Sequence, residues 1–502
     1  MVRVPRRPWF AAVRKPPRSV PAACIAGGVP LAVQAAAGRR TPWPSSFLQP
    51  EACSPPLKEN RMDIYNLVSF VGLLVLVGIG WLLSVNRRRV SWRCVLTGVG
   101  LQLVFAALIF LAPLSRDAFV WVNDVVVSVI NAAQAGQVFV FGSLADFNKS
   151  GFVLATQSLP LAIVFAALMS LLYYCGIMQR VIRLFARVFT RLMNASGAES
   201  LCASSNIFVG VESTMTIRPY LATMTRSELC TILTAGMATI ASTVLAAYVF
   251  ILQGQFPTIA GHLISASILS APAAIVMSKL LVPEDGQPVT LGRDVQVHYD
   301  RESSAMESVI NGAMAGVKLV VGIVALLVAF LGLLAIADLL LVWLSGAINW
   351  GVDAWCDRFS PDYAGNVHLS LKGILGYVMQ PFAYLIGIPP DDAARAGELL
   401  GTRLVATEIP AYQDLAAWIA SGQVSHGRTP VLMAYALCGF AHVASLAIFV
   451  GGTAVLVPER RRDLTSVGPR ALLAATLACL MTAAVAGVFY HTSETVLRTA
   501  QP

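Results

Sequence analysis

The chain of 502 residues is 56% hydrophobic and 13% charged, with a mean hydropathy of +0.69, against about 25% charged for an average soluble domain. That composition excludes a soluble globular enzyme and calls for an integral membrane protein. The net charge of +9 does not point to a nucleic-acid partner, because Lys and Arg gather in short loops between apolar runs, where membrane orientation requires them.

The apolar residues come in runs of about 20, the length that crosses a ~30 Å hydrocarbon core as helix, and not as the alternating ~10-residue segments of an outer-membrane barrel. The nine cysteines are scattered, with no CxxC pair and no Cys/His cluster, and read as small core residues.

Residues 1–50 contain no Asp or Glu but eight basic residues (Arg3, Arg6, Arg7, Arg14, Lys15, Arg18, Arg39 and Arg40) and many prolines. Such a segment cannot bury a core. Its Arg-rich, acid-poor composition also fits a transit peptide, although the prolines interrupt an amphipathic helix. Met62 and Asp63 directly precede the first apolar span. The functional chain is therefore expected to begin near Met62, with residues 1–61 an extension that is disordered or not part of it.

Spans are expected at about 64–84, 94–113, 152–174, 228–252, 257–281, 317–344, 430–456 and 467–490, which gives eight crossings. Arginines follow the first span (Arg87, Arg88, Arg89, Arg93), the third (Arg180, Arg183, Arg187, Arg191) and the seventh (Arg460, Arg461, Arg462). These loops are expected on the cytoplasmic side, which places both ends of the 62–502 core outside. In IMQRVIRLFARVFTRLM, 177–193, the four arginines recur every three or four residues. The segment reads as an amphipathic helix lying in the membrane interface. The loop from Pro283 to Ser304 is polar and reads as a connector.

Two hydrophobic segments, 198–222 and 393–420, are too interrupted to be ordinary spans. Each reads as a re-entrant hairpin with a glutamate near its middle, Glu212 in one and Glu408 in the other. Residues that loosen or cap a helix flank them: Gly210, Ser213 and Thr214 in the first, Thr407 and Pro410 in the second. Backbone can leave the helix at membrane depth only where protein or a wet cavity satisfies it. Each hairpin is followed by a span rich in small and hydroxyl residues, ATIASTVLAAY (238–248) and CGFAHVASLAIF (438–449). The first hairpin is expected to enter from the cytoplasm and the second from outside, the pattern of an inverted repeat with a site at the midplane.

A carboxylate in hydrocarbon costs ~2.5–3.5 kcal/mol on insertion scales, so Glu212 and Glu408 are expected to face a polar cavity or a ligand. Carboxylates accept hydrogen bonds from hydroxyls and ring N–H groups, which suits a polyhydroxyl or heterocyclic solute. Asn206, the carbonyl of Val209, the hydroxyl of Thr239 and the carbonyl of Ile240 are hard oxygen donors of the kind sodium uses. One cation moving down 100 mV yields ~2.3 kcal/mol, enough for a solute gradient of several tens at ~1.4 kcal/mol per tenfold. His442, four residues from Cys438 and three from Ser445, reads either as a satisfied structural histidine or as a ligand or proton carrier.

The chain from about Met62 to His491 resembles the concentrative nucleoside transporters. The resemblance rests on NIFVG followed by a Glu and IRPYL, then TRSEL, ATIASTVLAAY, QPFAYLIGIP, GELLGTRLVATEIPAY, ALCGFAHVASLAI and PERRRD, in that order. It implies an all-α polytopic membrane protein of eight transmembrane helices plus two re-entrant hairpins in an inverted repeat, with interfacial helices, assembled as a homotrimer in the cell inner membrane. It also implies a scaffold (about 62–195 and 305–345) that holds a transport unit (about 196–282 and 390–492) expected to move like an elevator. The nucleobase is then expected at Gly210, Val211, Glu212 and Val244, and the ribose at Glu408, His442 and Ser445, with Phe440 nearby. Sodium is expected at Asn206, Val209, Thr239 and Ile240, and no cofactor beyond the coupling ion is implied.

The sequence departs from the family's common pattern at three places. GVEST stands where relatives commonly read GQTEAP, so Val211 alone replaces a Gln-Thr pair. Thr407-Glu408-Ile409 stands for NEF, and Ala441-His442-Val443-Ala444-Ser445 for ANxSS. The first removes an amide expected to read the base and a hydroxyl expected to help hold sodium.

The expected activity is import of nucleosides or close analogues by symport with Na+ or H+. Alternatives are a proton-coupled carrier of a modified nucleoside or other small polar solute, and a membrane-embedded hydrolase using the paired glutamates as acid and base. No nucleophile motif, HExxH or metal cluster accompanies the glutamates.

Overall fold

The computed structural model describes residues 64–111, 113–298, 302–359 and 370–491. The expected extension, residues 1–61, lies outside the described residues. The described secondary structure is helical; its one strand-like pairing is an isolated bridge between Ser196 and Leu291.

Helices α1 (Ile64–Leu82) and α2 (Trp92–Leu111) are joined by a turn through Arg87–Arg89. After α3 (Pro113–Phe141) and the short α4 (Phe147–Ser150), a π-helical turn, Leu154–Ser158, leads into α5 (Leu161–Tyr174). The amphipathic α6 (Ile177–Met193) precedes the first hairpin, built from α7 (Gly197–Asn206) and a 3₁₀ helix, Val211–Thr223. Next come α8 (Arg226–Ala238), α9 (Ser242–Leu252) and α10 (Ile259–Leu281).

The long α11 (Ala305–Phe359) and α12 (Leu371–Leu385) lead to the second hairpin, α13 (Pro390–Val405) and α14 (Glu408–Ala420). The chain closes with α15 (Arg428–Ala436), α16 (Val443–Leu456) and α17 (Arg461–Val488).

The spans expected as continuous at 228–252 and 430–456 are each two half-helices, parted at Thr239–Ala241 and at Leu437–His442. Window-averaged hydropathy does not register a break that adds almost no charge. At the second break Gly439 adopts φ 134°, a conformation open to glycine. A Cβ there would lie 2.8 Å from the carbonyl of Ala238 at the end of α8, so the two breaks meet.

Tethers between distant segments define two faces of the molecule. On one, Arg89 donates to the Asp285 carbonyl (3.5 Å) and Thr225 to Glu284 (3.0 Å). On the same face Arg187 lies 3.5 Å from Asp294, and Arg460 donates to the Met224 carbonyl at 2.6 Å. The three arginine-bearing loops therefore share it. On the opposite face Asn66 at the start of α1 donates to the Tyr490 carbonyl (2.9 Å), and Arg428 at the start of α15 donates to Asn66 (2.9 Å). Both ends of the described chain lie there.

By length and apolar composition, Val120–Ala145 is also capable of crossing, yet its contacts hold it on the opposite face. Asn123 Oδ1 accepts from Gly261 N, at the start of α10, and Gln137 donates to the Gln157 carbonyl, at the entry to α5. Both α10 and α5 run from that face to the arginine-bearing one. Helix α3 thus runs along a surface, and the crossings are α1, α2, α5, α8/α9, α10, α11, α15/α16 and α17, the eight expected.

Helix α6 carries Arg180, Arg183, Arg187 and Arg191 exposed, and buries Met178, Ile182, Ala186, Phe189 and Met193. This is the interfacial helix read from its spacing.

The hairpins enter from opposite faces. The base of the first is held by the Thr290 carbonyl, which accepts from Gly197 N at 2.9 Å on the arginine-bearing face. The second is held on the other face by Asp392, which accepts from Ser425 N (3.0 Å) and Thr429 Oγ1 (2.6 Å). The hairpins and broken spans form the interior. Spans Arg226–Leu252 and Ile259–Leu281 are mostly buried, whereas the apolar stretch within Ala305–Gly346 is almost wholly exposed and presents its side chains outward.

A buried ion cluster locks the first hairpin to its neighbours. Lys279 Nζ on α10 lies 2.9 Å from Glu199 and 3.1 Å from Glu284, and donates to Ser227 of α8 at 3.1 Å. Glu199 also completes the capping box that starts α7. Lys279→Met leaves Glu199 buried without its cation, and about 3–5 kcal/mol of stability is expected to go with it. A lowered melting temperature in detergent, partly restored by adding Glu199→Gln, checks this; an unchanged single variant would rule the cluster out as a lock.

Candidate functional site

The site forms where four interrupted elements converge. Helix α7 ends at Asn206, and the chain passes through Ile207–Gly210 before winding up again as the 3₁₀ helix. At this tip the carbonyl of Phe208 accepts from Ser242 N at 3.1 Å. It supplies one of the bonds that the first turn of α9 lacks internally. Gly210 belongs at the contact because an added Cβ would lie 3.2 Å from Ala241 Cβ and 3.5 Å from Glu212 Oε2.

The oxygens singled out as sodium donors surround this junction. Asn206 is fully buried and donates through Nδ2 to the Cys202 carbonyl (3.2 Å), while its Oδ1 has no hydrogen-bond partner. Thr239 spends its hydroxyl proton on the Ala235 carbonyl (2.9 Å), which leaves oxygen lone pairs free to accept. The Ile240 carbonyl takes one bond from Ser267 Oγ at 3.2 Å and retains a second acceptor site. Val209 sits in the half-buried tip. A buried amide oxygen with no donor is expensive in a dry interior, and a hard cation is the ligand that such a set of oxygens fits.

The two glutamates differ in setting. Glu212, in the first turn of the 3₁₀ helix, is exposed. The Val211 side chain lies outside the described residues. Glu408, the first residue of α14, is 2% exposed. Tyr248 of α9 donates to its Oε1 at 2.5 Å, and His442 Nε2 lies 3.2 Å from its Oε2. The His442 contact lacks hydrogen-bond alignment, so Oε2 remains without a hydrogen-bond partner, as does Thr407 Oγ1 beside it.

His442 is the N-cap of α16. Its Nδ1 accepts from Ser445 N (3.2 Å) and Ser445 Oγ accepts from His442 N (3.3 Å). An imidazole that accepts at Nδ1 carries its proton on Nε2, the nitrogen facing Glu408. The half-buried Phe440 packs with its ring centroid 6.3 Å from that imidazole. Val244 is buried on α9, one turn before Tyr248.

The expected site residues thus fall into two groups, one around the first hairpin tip and one around Glu408, with α9 serving both. Cys479 of α17 adds a link, its Sγ reaching the carbonyls of Cys438 (3.1 Å) and Ala238 (3.7 Å).

Models of the Na+ dependent nucleoside transporter N-terminus and C-terminus match residues 71–144 and 262–487, and one for nucleoside recognition matches 155–255. The chain belongs to the concentrative nucleoside transporter family. An uncharacterized transporter of Haemophilus influenzae is 37% identical over 84% of this chain and 97% of its own length. Human solute carrier family 28 member 3 is 36% identical over 86% of this chain and 61% of its own, and rat sodium/nucleoside cotransporter 1 is 36% identical over 84% and 64%. The chain therefore spans about three fifths of the length of these animal relatives.

A solved structure of CNTnw in an inward-facing substrate-bound state has a TM-score of 0.73 at 33% identity, covering 85% of this chain and 98% of that one. A CNTnw variant in an outward-facing state gives 0.75 at 32%, covering 86% and 99%. These likenesses make the chain a transporter by family, not an enzyme.

Within this transporter fold, Tyr248 is the residue that sequence reasoning passed over. Its signal was its place one helical turn after Val244, on the same face of α9. It stacks on Tyr412, with ring centroids 4.8 Å apart, and fixes one oxygen of Glu408 while the other faces His442 Nε2. A hydrogen bond to a charged group is worth ~1.5–3 kcal/mol. Tyr248→Phe is expected to raise the half-saturating solute concentration by roughly tenfold or more and, by leaving a buried carboxylate oxygen without its donor, to lower the melting temperature as well. Uptake kinetics in proteoliposomes check this, and wild-type kinetics would remove Tyr248 from the site.

Proposed function

We propose that the protein is a secondary active symporter that imports nucleosides or close analogues across the cell inner membrane, driven by a cation. The observation that carries this reading is a pair of buried oxygens outside any protein hydrogen bond, Asn206 Oδ1 and Glu408 Oε2, the second facing His442 Nε2 at 3.2 Å, at the interrupted elements of the two repeats. Such breaks are where transporters bind solute and ion.

In this reading the ribose hydroxyls donate to Glu408, with His442, Ser445 and Phe440 around the sugar. The base lies against Gly210, Val211, Glu212 and Val244. The cation is held by Asn206, the Val209 and Ile240 carbonyls and Thr239. Helix polarity supports both assignments, because carbonyls at the end of α8 favour a cation, and the starts of α9, α14 and α16 are positive dipole ends.

The buried interior, residues 196–282 and 390–492, acts as the transport unit and moves against a scaffold of about 62–195 and 305–345. The outward apolar surface of α11 supports assembly of the scaffold as a homotrimer within the lipid. With the arginine-bearing face cytoplasmic, both ends of the 62–502 core are outside.

A second reading, proton coupling, is favoured by one feature: His442 stands beside Glu408 where the family commonly carries asparagine, and a titratable pair can hold a proton. Uptake of labelled uridine and adenosine into proteoliposomes, under an inward sodium gradient and then a proton gradient, separates the two. Accumulation is expected under one of them, and its absence for every nucleoside under both would sink the proposal. Glu408→Gln is expected to cut uptake at least about tenfold, from the loss of charge-assisted bonds to the sugar, while the oligomer elutes as wild type. If protons drive transport, His442→Asn is expected to abolish proton-driven accumulation; undiminished proton-driven uptake would exclude His442 as the carrier.

A further inference from the structure

Helix α6 carries charge for which the transport site has no use. At 3.6 residues per turn, its arginines fall within about 80° of the helix circumference, and Arg180, Arg183, Arg187 and Arg191 are all exposed. Beside this stripe, on one side only, stand the exposed apolar side chains of Ile177, Leu184 and Leu192. Beyond them lies the buried face that packs on the protein, while Gln179 and Thr190 border the stripe on its other side. Among the described residues, Asp294 is the carboxylate that meets the stripe, 3.5 Å from Arg187, and Arg180, Arg183 and Arg191 form no ion pair. Arg183 spends its Nε on the Gln179 carbonyl at 3.0 Å, which orients the guanidinium and leaves both Nη groups for a ligand.

Orientation in a membrane asks only for positive charge near the right surface, not for a stripe bordered by an open apolar strip. Acyl chain beside phosphate matches that order: the strip lies at the level of the chains and the arginines at that of the headgroups. Guanidinium also pairs with phosphate through two parallel bonds. We propose that α6 is a docking site for anionic phospholipid, with headgroup phosphates on Arg180, Arg183 and Arg191 and acyl chains along Ile177, Leu184 and Leu192. Lipid held there fixes the base of the first hairpin. Helix α6 ends at Met193, three residues before Ser196 caps α7, and Met193 is wedged against α2, where a Cβ on Gly98 would lie 2.6 Å from its Cε. A cytoplasmic protein would answer the charge but leave the apolar strip bare.

The test reads lipid binding without transport, so failure of the symport reading leaves it intact. Delipidated protein in neutral detergent is titrated with phosphatidylglycerol, with phosphatidylcholine and with inorganic phosphate. Melting temperature and, by native mass spectrometry, retained lipid are followed. Phosphatidylglycerol is expected to raise the melting temperature and stay bound, and the other two to do neither. Combining Arg180→Gln, Arg183→Gln and Arg191→Gln is expected to weaken binding roughly a hundredfold, at about fivefold per arginine. Arg180→Lys, Arg183→Lys and Arg191→Lys together are expected to keep most of it. Arg461→Gln with Arg462→Gln, also exposed on the arginine-bearing face, is expected to bind as wild type. Equal binding of both lipids, an unchanged triple glutamine variant, or an equal loss in the Arg461 and Arg462 variant would overturn the proposal. So would phosphate alone reproducing the shift, which would make the stripe a phosphate site. Should the triple glutamine variant not fold, Arg183→Gln alone takes its place, with about a fivefold loss expected.

Discussion

Backbone that leaves the helix inside a membrane has to find its partners in protein, because lipid supplies none. The interior of this molecule is organised by that constraint. The tip of the first hairpin meets the interrupted α8/α9 span through the bond from Ser242 N to the Phe208 carbonyl. The interrupted α15/α16 span meets the end of α8 at Gly439. His442 and Ser445 cap α16 with each other, and the Cys479 thiol reaches a carbonyl at each break. The first hairpin tip and the two broken spans thus meet one another.

Convergence concentrates polar groups in an otherwise apolar interior, and the few left unpaired stand out. Most buried polar atoms in a folded protein are bonded. Among those outside any protein hydrogen bond, Asn206 Oδ1, Thr407 Oγ1 and Glu408 Oε2 lie at the hairpin tips. The proposed solute and ion answer the oxygens.

Much of this was legible in the sequence. The hairpins show because Glu212 and Glu408 lie in apolar stretches that Gly210, Thr407 and Pro410 interrupt, and the observed bounds lie within three residues of those read, at 197–223 and 390–420. The four exposed arginines of α6 follow from spacing alone. The breaks at Thr239–Ala241 and Leu437–His442 are less legible, since alanine, isoleucine and leucine look alike inside a helix and beside one. The orientation of α3 depends on Asn123 and Gln137 finding Gly261 and Gln157, which composition cannot foresee. Tyr248 was hidden for the same reason, because it meets Glu408 only across 160 residues of chain.

The bond from Tyr248 to Glu408 crosses between the repeats, joining a helix of the first half to the hairpin of the second. A protein that arose by doubling an ancestral unit would begin with two equivalent cavities, each complete. Here the carboxylate of one copy is aimed by the phenol of the other. Substitutions in either half are thereby constrained by the other, and the doubled unit can no longer be inherited in pieces.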